Sequence, residues 1–88
     1  MPTVHCVVKG RVQGVGFRFF VADEAQALGL GGWVRNLPGG EVEAKASGPE
    51  AVLRLFVDRL HEGPILSRVT GVDVKWEEEE NDAPFRIR

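Results

Sequence analysis

Gly10, Gly14 and Gly16 stand between an alternating apolar run and a segment of helical periodicity, and this glycine cluster constrains the chain more than any other feature. Glycine reaches backbone conformations closed to other residues, so such a stretch can turn successive N–H groups inward and build an anion cradle. A helix that begins just after it adds unpaired first-turn amides and the positive end of its dipole. Arg18 then supplies a planar, permanently charged fork able to grip two phosphate oxygens. The spacing G-x-x-x-G-x-G differs from the dinucleotide pattern G-x-G-x-x-G, and no Gly-Lys-Ser/Thr triplet follows, which argues against Rossmann and Walker nucleotide sites. On spacing alone, a tight strand-to-helix connection explains the glycines as well as a ligand site does.

The 88 residues, 43 % apolar and 27 % charged, fit one domain, 1–88, with a modest core. A formal net charge of −2 argues against a nucleic-acid partner, since such domains carry a basic face. The anion is therefore expected to be a small molecule. The lone cysteine, Cys6, sits in an apolar run and is expected to pack in the core, with no disulfide and no cysteine-based zinc site. His5 and His61 lack metal-ligand company, so neither a metal nor any other cofactor is expected. No apolar stretch approaches the ~20 residues of a membrane span, and no signal-like segment opens the chain, so the cytoplasm is the expected location. The expected state is a monomer.

Val4, Cys6 and Val8 alternate with His5, Val7 and Lys9, which predicts a strand over residues 3–10. Val21, Ala25 and Leu28 recur at helical spacing, predicting a helix from Phe19 to Leu28 capped by Gly29. Gly32–Asn36 reads as a strand, Leu37-Pro38-Gly39-Gly40 as a turn, and Val42–Ala46 as the returning strand. Pro49 and Glu50 open a second helix with Val52, Leu55, Phe56 and Leu60 on one face, closed by Gly63-Pro64. Val69–Glu78 alternates again. An acidic connector, Glu77–Glu80 with Asp82, leads to a short strand at Phe85–Arg88 that is expected to bury Phe85 and Ile87.

This order predicts an α+β, ferredoxin-like βαββαβ sandwich, with two helices on one face of a largely antiparallel sheet and a short extra C-terminal strand. In that topology the first two strands run parallel. The loop after the first and the turn after the second then emerge at the same end, so Arg18 and Asn36 can meet. Trp33, Phe17, Phe19 and Phe20 are read as core or pocket wall, because no basic patch surrounds them.

G-R-V-Q-G-V-G-F-R at 10–18 and G-W-V-R-N-L-P-G-G-E-V at 32–42 resemble the two signature segments of the acylphosphatase family, and the likeness spans the whole chain. One departure, Gly39 in place of the family's frequent Asp or Asn, bears on the shape of the turn. The resemblance implies a metal-free hydrolase that splits acyl phosphates into carboxylate and inorganic phosphate. It also implies Arg18 and Asn36 as the catalytic pair, with Gln13, Gly14, Val15, Gly16, Phe17 and Arg18 forming the phosphate loop. The chemistry is self-consistent: a carboxylate of acid pKa about 4 departs without a general acid, and phosphoryl transfer asks mainly for positioning and charge.

Two other functions remain open to the sequence. One is a stand-alone copy of the related domain of hydrogenase-maturation proteins, acting on carbamoyl phosphate; the other is a catalytically idle phosphate-binding regulatory module. A last strand lying parallel to the one that carries Asn36 would end at the site's rim, where the Arg88 carboxylate could pair with Arg18.

Overall fold

The computed structural model describes residues 1–79 and 84–88. Its elements are β1 (Pro2–Arg11), α1 (Phe17–Ala27), β2 (Gly31–Asn36), β3 (Val42–Ser47), α2 (Glu50–Glu62), β4 (Arg68–Glu78) and β5 (Arg86–Ile87). The five strands form one sheet in the order β4-β1-β3-β2-β5. Strand β3 is antiparallel to both β1 and β2, so those two are parallel to each other, and β5 runs parallel to β2. This is the ferredoxin-like sandwich with one short added strand.

Alternation decides the two faces of the sheet. Val4, Cys6 and Val8 of β1, Val34 of β2, and Val42, Ala44 and Ala46 of β3 are all fully buried, as are Val21, Ala25, Leu53, Phe56 and Leu60 of the helices. Burying one large side chain of this kind contributes about 1.5–3 kcal/mol, so this layer supplies most of the drive to fold. Cys6 belongs to it as packing, and burial pushes its thiol up to about 12.

The elements keep the expected order, with three local differences. Helix α1 begins at Phe17, two residues ahead of the expected start, because Gly16 in the left-handed region (φ 76°) turns the chain directly into it. On α2 the buried stripe is Leu53, Phe56 and Leu60, while Leu55 is largely exposed; spacings of three and four residues keep a side chain on one helix face. In the last strand Phe85 is buried against Phe56, with ring centroids 6.2 Å apart, but Ile87 is more than a third exposed. Two paired residues at a sheet edge cannot cover both apolar side chains. Helix α1 ends as the sequence implies: Gly29 takes φ 70°, and Gly29 and Leu30 donate to the Gln26 and Ala25 carbonyls in a Schellman cap.

The opposite face of the sheet is charged. Glu43 accepts from Arg35 Nε at 2.5 Å and from His5 Nε2 at 2.7 Å; since a carboxylate only accepts, that His5 nitrogen carries its proton. Lys45 bridges Glu77 and Glu79, and Lys9 meets Asp73. The acidic stretch is thus partly structural, its first residues completing β4, while Glu80 and Asp82 lie outside the described residues.

Burial alone would push the Glu43 carboxyl up, yet the hydrogen bonds from His5 and Arg35 hold it below its usual value. A lowered folded-state value gives stability that is present above the unfolded value and lost on acidification. The stability advantage of wild type over Glu43→Gln should therefore shrink between about pH 5 and pH 3 in urea titrations, and a constant difference would show the ion pairs to be inert.

Gly32 sits inside β2 at φ 138°, where an added Cβ would come within 1.8 Å of the Lys45 carbonyl oxygen. Both the backbone conformation and the space therefore exclude a side chain. Gly32→Ala should cost about 3 kcal/mol or more in urea unfolding, because β2 must then part from β3. An unchanged midpoint would contradict this packing.

Candidate active site

The loop from β1 to α1 closes on itself through two left-handed glycines, Gly14 at φ 75° and Gly16 at φ 76°. A Cβ at either position would meet no protein atom within 4 Å, so glycine is required there by conformation and not by space. Gly16 caps α1 with no side-chain acceptor, and the first turn carries no acidic residue. The first intrahelical bond runs from Phe20 N–H to the Gly16 carbonyl. The amides of Phe17, Arg18 and Phe19 precede it and so lack intrahelical partners, leaving the positive end of the helix dipole open.

Beside these amides lies a hollow of about 110 Å³ lined by Val12, Gly14, Gly16, Phe17, Arg18, Phe19 and Asn36. Two larger hollows, of about 350 and 220 Å³, lie along α2 and β4 around Arg54 and Trp76. Glu50, Glu77 and Glu78 line the larger of these and Asp58 the other, which makes both poor places for an anion. The small hollow has the opposite character.

Asn36 reaches it because of register. It pairs with Val42, which in turn pairs with Val8, and it shares a face of β2 with the buried Val34. The neighbouring Arg35 is turned to the other face, held by Glu43 and lying over the Trp33 ring at 5.3 Å. Among the described residues no group hydrogen-bonds the Asn36 carboxamide, which is free to hold a water molecule. Arg18, in the first turn of α1, donates from Nη1 to the main-chain oxygen of Arg88 at 3.5 Å. Parallel pairing of β5 with β2 brings that oxygen to this end of the sheet, and the Arg88 N–H donates to the Val34 carbonyl at 2.8 Å.

Of the loop residues singled out from the sequence, Gly14, Gly16, Phe17 and Arg18 line the hollow, whereas Gln13 and Val15 do not. Val15 packs against the core. The Gln13 side chain donates to the Leu37 carbonyl at 2.7 Å and to the Glu41 carbonyl at 2.9 Å, which fastens the glycine loop to the β2–β3 turn. That turn is closed by Leu37 N–H to the Glu41 carbonyl at 2.8 Å, and its left-handed residue is Gly40, not Gly39. Gln13 thus supplies a brace across the position where a side chain at 39 is missing. Phe19 was legible only as an aromatic of the helix start; nothing in its spacing told it apart from Phe17 and Phe20. Among the described residues no three His, Cys, Asp or Glu side chains gather to hold a metal ion, and no helix is long and apolar enough to cross a membrane.

Fold and hollow together define a ferredoxin-like sandwich with a glycine loop and an open helix N-terminus at one end of its sheet. The acylphosphatase family model matches residues 4–87. An acylphosphatase of Thermus thermophilus is 48 % identical over 99 % of both chains. The crystal structure of acylphosphatase from Bacillus subtilis superposes with a TM-score of 0.96 at 43 % identity, covering 100 % of this chain and 99 % of that one. T. kodakarensis HypF also matches, with a TM-score of 0.82 and 34 % identity over 99 % of this chain, but over only 12 % of that much longer one. The chain belongs to the acylphosphatase family.

The Arg88 oxygen that faces Arg18 occupies one of the guanidinium's donors and limits where the fork can point. Deleting Arg88 removes that oxygen. The deletion should shift KM for an acyl phosphate, and identical kinetics with and without Arg88 would show the contact to be inert.

Proposed function

We propose that the hollow binds the phosphoryl group of an acyl phosphate through the first-turn amides and Arg18, while Asn36 holds the attacking water. The reaction is hydrolysis of the mixed anhydride to a carboxylate and inorganic phosphate. One observation carries the assignment of roles: amides without intrahelical partners, a guanidinium and an unengaged carboxamide line one small hollow. The water oxygen bonds to phosphorus as the bond from phosphorus to the acyl oxygen breaks, and the electron pair leaves with the carboxylate. A leaving group of acid pKa about 4 needs no proton, so no general acid is required. Charge developing on the equatorial oxygens meets Arg18 and the amides, which stand where a metal ion acts in other phosphoryl-transfer sites.

Asn36 can orient the water but cannot deprotonate it. The proton passes to a phosphoryl oxygen of the substrate itself. Gln13 acts as a positioning residue, keeping the loop against the turn that follows Asn36. The catalytic unit of this reading is a monomer. The substrate is a small molecule, with no part for nucleic acid, and the lone buried thiol of Cys6 suits the reducing cytoplasm.

Arg18→Ala should lose roughly 10³-fold in kcat/KM, because the guanidinium binds the phosphate and is strengthened in the transition state. Asn36→Ala should lower kcat while inhibition by inorganic phosphate stays close to wild type, and Arg35→Ala should do much less than either. Near-wild-type turnover in Arg18→Ala, or a larger loss in Arg35→Ala than in Asn36→Ala, would overturn these roles.

A further inference from the structure

The hollow is small: about 110 Å³ accommodates a phosphoryl group, so the acyl half of the substrate must lie on its rim. Three phenylalanines crowd the start of α1, and they are not equivalent. Phe17 is buried, and Phe20 packs against it with ring centroids 5.9 Å apart. Phe19 is 66 % exposed and lines the hollow directly beside Arg18. A ring left in water there, beside the guanidinium and open to solvent where Val12 and Phe17 of the same lining are buried, gives up burial that a bound apolar group can restore. An aromatic partner would gain further from an offset or edge-to-face arrangement.

We infer that Phe19 is the acyl-binding residue of the site and gives it a preference for apolar, above all aromatic, acyl groups over short ones. This inference rests on the phosphate lying in the hollow as proposed above. Arg18 and the amides fix the phosphoryl end, and the acyl carbon one bond beyond the bridging oxygen then emerges at the mouth, where Phe19 stands. The ring takes no part in the chemical step, so its effect falls on which acyl phosphate binds.

The test compares kcat/KM for benzoyl phosphate and acetyl phosphate in wild type, Phe19→Ala and Phe19→Tyr. Taking the ratio of the two substrates within each protein and comparing it between proteins cancels their different intrinsic reactivity. Phe19→Ala should lower the benzoyl-to-acetyl ratio roughly tenfold, mainly through a higher KM for benzoyl phosphate, and Phe19→Tyr should restore it. The inhibition constant of inorganic phosphate should stay within about twofold across all three proteins, since phosphate does not reach the rim. A ratio unmoved in Phe19→Ala, or a ratio that falls together with phosphate affinity, would overturn the inference. Wild-type protein that hydrolyses neither substrate would overturn the proposed function and the inference together, whereas turnover of both with an unmoved ratio overturns the inference alone.

Discussion

The site depends on one strand, β3, lying antiparallel between β1 and β2. That placement makes β1 and β2 parallel, so the chain leaves both at the same end of the sheet. It also puts Val8, Val42 and Asn36 in one row across three strands. With strands about 4.8 Å apart, Asn36 stands about 10 Å from the row position on β1, a distance that the glycine loop spans as it leads into α1. A slip of one residue between β2 and β3 would turn Asn36 to the charged face and bring Arg35 to the hollow. The buried Val34 on one side and the Arg35–Glu43 pair on the other both oppose that slip.

The site itself is made largely of backbone. Amides are fixed dipoles that need no protonation state, and the loop that aims them is held by two left-handed glycines at one end and the Gln13 brace across to the β2–β3 turn. A single guanidinium then supplies the net positive charge. Arg18 is held in turn by the Arg88 oxygen, which arrives because β5 runs parallel to β2. Division of labour between the two faces of the sheet leaves this arrangement undisturbed: the helix side buries the core and opens onto the hollow at its end, while the ion pairs of His5, Arg35, Glu43, Lys45 and Lys9 occupy the other.

Much of this was legible in the sequence because the determinants are local. Alternation over residues 3–10, the Gly29 cap and the hairpin around Leu37–Gly40 each depend on neighbours along the chain, and each appears where expected. The differences arise where tertiary contacts decide. Periodicity placed the start of α1 at Phe19, but the left-handed Gly16 starts it at Phe17, which puts Arg18 on the helix itself. Leu55 and Leu53 are equally apolar, and only the packing of α2 against the sheet selects Leu53. The work of the Gln13 side chain was hidden because its acceptors, the Leu37 and Glu41 carbonyls, are distant in sequence. The three phenylalanines at 17, 19 and 20 likewise read alike until their exposure separates Phe19 from the others.

In the proposed reaction water attacks phosphorus, in a site that grips the phosphoryl group and leaves the acyl group at its mouth. Single-turnover hydrolysis of benzoyl phosphate in water enriched in heavy oxygen, followed by mass analysis of both products, tests it directly. The label should enter inorganic phosphate, and benzoate should retain only its original oxygens. Label in the benzoate would mean attack at the acyl carbon, which a cradle of amides and Arg18 around the phosphate does not explain.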